Sequence, residues 1–161
     1  MNLTEKEIDI TKVINPNLID LHLNGKTKED VIEELSRLLQ KDDDITDIQK
    51  FVDDVFNREE EGETGIGQGV AIPHGKSKAV KNTMIAIGLS DHPIPWETLD
   101  DQPVTAVILF AVRDQDADTL HLKLLQKVAI LLSDDTFIKK LHAATNKDSV
   151  IKLLYANRGD D

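Results

Sequence analysis

The sequence predicts one α/β domain, a single-domain sandwich with a central mixed β-sheet flanked by helices. Apolar stripes at helical spacing alternate with short β-branched runs along the whole chain. The two strongest strand-like runs, 84–89 and 104–112, have no helical pattern between them, so the sheet should mix antiparallel and parallel neighbours. With 161 residues, 40 % of them hydrophobic, the chain can build one core, and no linker, internal repeat or low-complexity tract divides it. The domain is expected to occupy residues 1–161, with its core over roughly 15–156.

After a polar leader, Leu18, Ile19, Leu21 and Leu23 form a strand-sized run over 18–23, broken by Asn24-Gly25. Thr27 offers an N-cap hydroxyl, and Val31, Ile32, Leu35, Leu38 and Leu39 then repeat as one face of a helix over 28–40. A second amphipathic helix is expected over 45–59, with Ile45, Ile48, Phe51, Val52, Val55 and Phe56 as its stripe. Five of the eight glycines then fall between Gly62 and Gly75 around Val70-Ala-Ile-Pro73, which reads as loop, short strand, loop. Runs 84–89 and 104–112 read as buried strands, and Asp91-His-Pro-Ile-Pro-Trp96 between them as an irregular or edge segment. Leu120, Leu124, Leu125, Val128, Leu131 and Leu132 define a helix over 119–132, with Asp116 and Asp118 near its positive end. Two shorter helices, about 135–144 and 147–156, precede the tail Arg158-Gly-Asp-Asp161.

Composition removes several function classes. Lys plus Arg number 19 against 30 Asp plus Glu, a formal charge of −11, and that field repels a nucleic-acid backbone or an anionic bilayer. Without cysteine there is no disulfide, no Cys-ligated metal and no thiol nucleophile, so covalent chemistry falls first to the five histidines. The leader is acidic where a signal peptide is basic then apolar, and no run reaches the roughly 18 apolar residues of a membrane span. A soluble cytoplasmic protein is expected, with no direct membrane insertion.

The densest constellation is Gly65-Ile-Gly-Gln-Gly-Val-Ala-Ile-Pro-His-Gly-Lys-Ser77, and three readings compete for it. Gly75-Lys-Ser77 ends like a phosphate-binding P-loop, but that motif needs glycine at position 70, where Val stands, and a helix after Ser77. Gly65, Gly67 and Gly69 likewise miss the dinucleotide spacing and precede a strand. A second reading makes His74 a nucleophile. A neutral imidazole holds a free lone pair, and its attack on a phosphoryl group gives a phosphoramidate that passes readily to another acceptor. Pro73 fixes the chain before it and Gly75 removes bulk after it, so the ring is expected at an exposed strand end that a partner can reach. The third reading is an ordinary surface histidine.

Thr64-Gly-Ile-Gly-Gln-Gly-Val-Ala-Ile-Pro-His-Gly75 resembles the active-site signature of the fructose/mannitol-type enzyme IIA domains (type 2) of the bacterial phosphoenolpyruvate-dependent sugar phosphotransferase system. The resemblance extends over roughly Leu18 to Leu154, through the Arg58-Glu59 pair, Ile94-Pro-Trp96 and Leu120-His-Leu-Lys-Leu-Leu125. It implies that His74 accepts a phosphoryl group from the histidine-containing phosphocarrier protein HPr and hands it to an enzyme IIB during sugar uptake. It also implies a second site histidine at His121 and an arginine at Arg58, and no cofactor. His121 lies in the first turn of a predicted helix, where a ring N–H could hydrogen-bond phosphoryl oxygens or hold the tautomer of His74. Arg58 would present a guanidinium fork to the same oxygens. The bland readings are a helix-terminal histidine bonded to backbone and a surface ion pair of Arg58 with a neighbouring Glu.

Thr64 offers a further hydroxyl, while His22, His92 and His142 fall outside the motif and read as strand, loop and helix surface residues. A zinc site would need a long-range meeting of His74, His121 and Asp residues, since His-x-x-x-His and His-Glu-x-x-His spacings are absent; no metal is expected. Lys76 and Lys78 read as local positive charge for an anionic partner or as solvated loop lysines. Two roles fit the resemblance: sugar delivery, with wording nearest the fructose branch, and regulation by protein binding as in nitrogen-type relatives. The chain suits a stand-alone carrier or one domain of a fused transporter.

Overall fold

The computed structural model describes residues 10–117 and 119–156. The leader through Asp9, Asp118 and the Arg158–Asp161 tail lie outside them. Among the described residues a six-stranded mixed sheet is flanked by five α-helices. Strands are β1 (Ile19–Asp20), β2 (Gly65–Gly67), β3 (Val70–Ala71), β4 (His74–Ser77), β5 (Met84–Ile94) and β6 (Val104–Arg113). Helices are α1 (Lys28–Lys41), α2 (Ile48–Glu59), α3 (Leu120–Leu132), α4 (Asp135–Ala143) and α5 (Lys147–Ala156).

β6 is the spine. Its apolar run packs on both faces, which is what an uninterrupted buried strand requires, and residues 104 and 106–112 are all buried. One edge pairs antiparallel with β5, in register Ile85↔Phe110 and Ile87↔Ile108. The other edge pairs parallel with β3 and then with β4, Ala71↔Val107 followed by His74↔Phe110. β3 and β4 are therefore one strand interrupted at Ile72-Pro73. Proline has no N–H to give the ladder, but its carbonyl still accepts from Phe110 N at 2.9 Å, so register survives the break. β1 pairs parallel with β5, and β2 folds back antiparallel on β3.

The helices follow their predicted stripes, and side-chain caps set the starts of α1 and α2. Thr27 caps α1 by accepting from Asp30 N at 3.1 Å. The second helix starts at Ile48 rather than 45, because Asp47 accepts from Lys50 N while Thr46 N donates to Ala79 O at 2.7 Å. The expected strand over 18–23 shrinks to Ile19–Asp20, since Asp20 takes the His22 N–H at 2.9 Å and bends the chain out of the ladder, which it rejoins only where Leu23 N donates to Leu89 O at 2.9 Å. Of the two readings of 91–96, irregular or edge, the structure departs from the irregular one: β5 continues to Ile94 across a register shift after Leu89.

The glycine-rich stretch departs most from the loop, short strand, loop reading, because it holds three short strands. Gly67, Gln68 and Gly69 turn β2 into β3 with φ of 100°, 56° and 78°, a left-handed run that glycine makes accessible. Gly75-Lys76-Ser77 is strand, and a turn rather than a helix follows it. Gly75 is required by close approach: a Cβ there would lie 2.5 Å from Phe51 and 2.7 Å from Val55 of α2. Gly75→Ala is expected to destabilise the fold by about 1–3 kcal/mol through overpacking, seen as a lower denaturation midpoint. An unchanged midpoint would mean that α2 yields.

Candidate functional site

Strand alternation assigns the two faces of β4. Gly75 points at α2, so its neighbours His74 and Lys76 point to the opposite face, where α3 lies. In register with His74 stands Phe110, whose ring stacks on the imidazole with centroids 5.0 Å apart and planes 15° apart. His121, in the first turn of α3, brings its ring to 5.2 Å from His74 at 54°. Arg58, in the last turn of α2, and Lys76 complete the group, and the positive charge of each is felt by both imidazoles.

The expected exposed His74 is instead buried, with 5 % of its surface accessible, and His121 is equally buried. It does sit at a strand end, the first residue of β4. Burial withdraws solvent from the charged imidazolium and, with the nearby charges of His121, Arg58 and Lys76, pushes His74 down to about 3. His121 is also pushed down, first by burial and then by Lys76 and Arg58. Both rings are therefore neutral at pH 7. Nδ1 of His74 and Nε2 of His121 are buried with no hydrogen-bond partner among the described residues. Buried nitrogens without partners are uncommon and carry a desolvation penalty.

Arg58 is half-buried and pairs with no neighbouring glutamate; its Nη1 donates to Gly62 O at 3.2 Å. Thr64 is buried and turned into the protein, donating its hydroxyl to Glu59 at 2.7 Å and accepting from Trp96 Nε1 at 3.0 Å. Lys76 is exposed beside the imidazoles. The other histidines lie elsewhere: His22 in a bend rather than a strand, 3.0 Å from Asp91; His92 within β5 rather than a loop, on Gly25 O; His142 on α4. Asp116 does not serve the start of α3 but grips Arg113 at 2.7 and 3.0 Å and accepts from Thr83, and Arg113 holds its carboxyl below the usual range. Phe110 is the residue that sequence reasoning missed, and its register with His74 becomes visible only once β4 is known to pair with β6.

Comparison with known proteins agrees with this geometry. The family model "Phosphoenolpyruvate-dependent sugar phosphotransferase system, EIIA 2" matches residues 12–157. A fructose-specific EIIABC component of Bacillus subtilis is 35 % identical over 145 residues, 90 % of this chain and 23 % of that protein. The chain thus spans about a quarter of that relative's length. The crystal structure of the nitrogen regulatory protein IIA-Ntr from Neisseria meningitidis superposes with a TM-score of 0.83 at 28 % identity, covering 90 % of this chain and 98 % of the other. The Escherichia coli mannitol enzyme IIA, solved in complex with phosphorylated enzyme IIB, shares the fold at TM-score 0.76 and 23 % identity, over 89 % and 98 % of the two chains. The fold and its comparisons define a phosphotransferase relay component. The chain belongs to the phosphoenolpyruvate-dependent sugar phosphotransferase system EIIA 2 family.

The depressed His74 value has a consequence for stability. An unfolded histidine titrates near 6.5, so between about 6.5 and 3 the unfolded chain binds more protons than the native one, and stability falls as pH drops through that window. The stability difference between wild type and His74→Gln should therefore shift against wild type on acidification from pH 7 to 4, measured by denaturant melts. A difference independent of pH would place His74 in contact with water.

Proposed function

We propose that the chain is a phosphocarrier that accepts a phosphoryl group on His74 from HPr and passes it to an enzyme IIB of a sugar transporter, working in the cytoplasm as a single folded domain. The observation that carries this reading is the neutral, buried imidazole of His74 set among Arg58, Lys76 and His121. A neutral ring keeps its lone pair. Nδ1 is sealed from solvent, which leaves Nε2 for attack in the tautomer whose proton sits on Nδ1: the new N–P bond forms as the donor's N–P bond breaks, and that electron pair returns to the donor ring. The cations that make a proton on His74 unfavourable favour a phosphoryl dianion on it. Arg58 supplies the fork for the oxygens, and His121, with its ring 5.2 Å from that of His74, is at hand as a second donor to them.

Fructose is the sugar this reading favours, because the fructose-specific relative matches nearly all of this chain. A second role has its own support: the likeness to a nitrogen regulatory IIA covers both chains almost fully, which suits a carrier that signals by phosphorylation-dependent protein binding. Recovery of an enzyme IIB in a pull-down supports delivery, and recovery of a regulatory target supports signalling.

Incubation with phosphoenolpyruvate, enzyme I and HPr should place one acid-labile phosphate on His74, located by intact mass and phosphopeptide mapping, while ATP alone places none. His74→Ala should fold and stay unphosphorylated. Arg58→Ala should slow uptake roughly 10- to 100-fold, and His121→Ala should accept phosphate but transfer it more slowly. Label on the His74→Ala protein would put the nucleophile elsewhere.

A further inference from the structure

Next to Arg58 stands a carboxylate that contacts neither imidazole and yet is buried and fully engaged. The Glu59 side chain is 5 % exposed and ends α2. One oxygen takes Lys28 Nζ at 3.1 Å, and Lys28 is itself largely buried. The other takes the Thr64 hydroxyl at 2.7 Å, and Thr64 in turn accepts the indole N–H of Trp96. Lys28 also reaches Glu97 at 2.6 Å and lies 5.7 Å over the Trp96 ring. Burial alone would lower its pKa, but Glu97 and Glu59 outweigh that and hold it above the ordinary lysine value.

These contacts join four parts of the chain: the start of α1, the end of α2, the entrance to β2 and the segment after β5. The strand pair that leads to His74 hangs from the same point, since Thr64 O accepts Ile72 N at 2.9 Å and Gly65 N donates to Glu97 O at 3.2 Å. Two clips overlap at the end of α2. One, Glu59 to Thr64, closes the loop 60–63. The other, Arg58 to Gly62 O, reaches from just before that loop onto a carbonyl inside it. The carbonyl that seats the Arg58 guanidinium is therefore fixed by the first clip.

We propose that Glu59 is a positioning residue: by gripping Lys28 with one carboxylate oxygen and Thr64 with the other, it closes the 60–63 loop and so holds Arg58 where its charge acts on His74 and His121. This rests on the phosphocarrier reading for its consequence in rate, but not for its geometry. A buried ion pair is a poor source of stability compared with apolar packing, and its retention here is accounted for by the orientation it imposes on the neighbouring arginine. Without the clip, Gly62 is free to move and Arg58 swings into solvent, where a misplaced fork loses most of its value.

The test uses Glu59→Gln, Thr64→Val, Arg58→Ala and the Arg58→Ala/Glu59→Gln pair in the full chain. Its first readout is the titration of His121 by NMR, which needs no phosphoryl donor. Removing the negative charge of Glu59 would by itself lower the pKa of an imidazole, whereas losing Arg58 from its seat raises it toward the ordinary value. Glu59→Gln and Thr64→Val are both expected to raise it, as Arg58→Ala does. The second readout is the rate of phosphoryl uptake from phosphorylated HPr at saturation. Each single variant at 59 or 64 should lose roughly tenfold in kcat with little change in KM, and the double variant should be no slower than Arg58→Ala alone. Unmoved or lowered His121 titration in both variants, or losses that add in the double variant, would overturn the proposal. Failure of the wild-type chain to take phosphate would instead strike at the phosphocarrier reading, and the titration would still decide the role of Glu59.

Discussion

The structure depends on one edge of β6. Along that edge β3 and β4 pair in parallel, and the ladder crosses a proline by keeping the proline's carbonyl in place of its missing N–H. That register sets His74 opposite Phe110, and strand alternation then sends His74 toward α3 while Gly75 meets α2. A slip of one residue would turn His74 onto the α2 face, where Phe51 and Val55 leave no room even for a Cβ. The glycine at 75 and the histidine at 74 are thus a single constraint seen from two faces.

The same packing sets the chemistry. Stacked on Phe110 and shielded from solvent, His74 is held as the neutral base by burial first and by its cationic neighbours second. Exposure, which Pro73 and Gly75 suggested, would give a ring partly protonated near neutrality and a weaker nucleophile. Burial supplies the lone pair at neutral pH, and two unpartnered ring nitrogens are the accompanying cost.

Much of this was legible in the sequence where a single element decides the outcome. The α1 stripe with Thr27 before it, the β5 and β6 runs and the α3 heptad-like leucines all read directly, since cap chemistry and hydrophobic period are local. The misreadings came where long-range pairing overrides local pattern. Thr46 is pulled out of the α2 helix by Ala79, 33 residues away, and Gly75-Lys76-Ser77 becomes strand only because β6 is there to receive it. For the candidate site, His74 was singled out by its Pro73-His74-Gly75 setting and then by a resemblance, His121 and Arg58 by the resemblance alone, and the structure brings the three together; Phe110 was invisible because an apolar residue inside an apolar run carries no sign of what it stacks on. Thr64 was seen as a hydroxyl for the site and is instead committed to Glu59 and Trp96.

A chain with a formal charge of −11 is an unpromising host for a phosphoryl dianion, and the resolution is one of distance. At physiological ionic strength the screening length is about 8 Å, so exposed carboxylates elsewhere on the surface contribute little at His74, whereas charges within reach and shielded from water count in full. Among the described residues the cations acting on His74 are Arg58, Lys76 and His121 when protonated. The nearest carboxylate in sequence to Arg58 that is also buried, Glu59, is neutralised by Lys28 and hydrogen-bonded by Thr64. Acid is therefore kept out of the immediate field of the imidazoles by being paired, not by being absent. Local sign and global sign can then differ, with the global charge free to choose partners and the local charge free to hold the phosphoryl group.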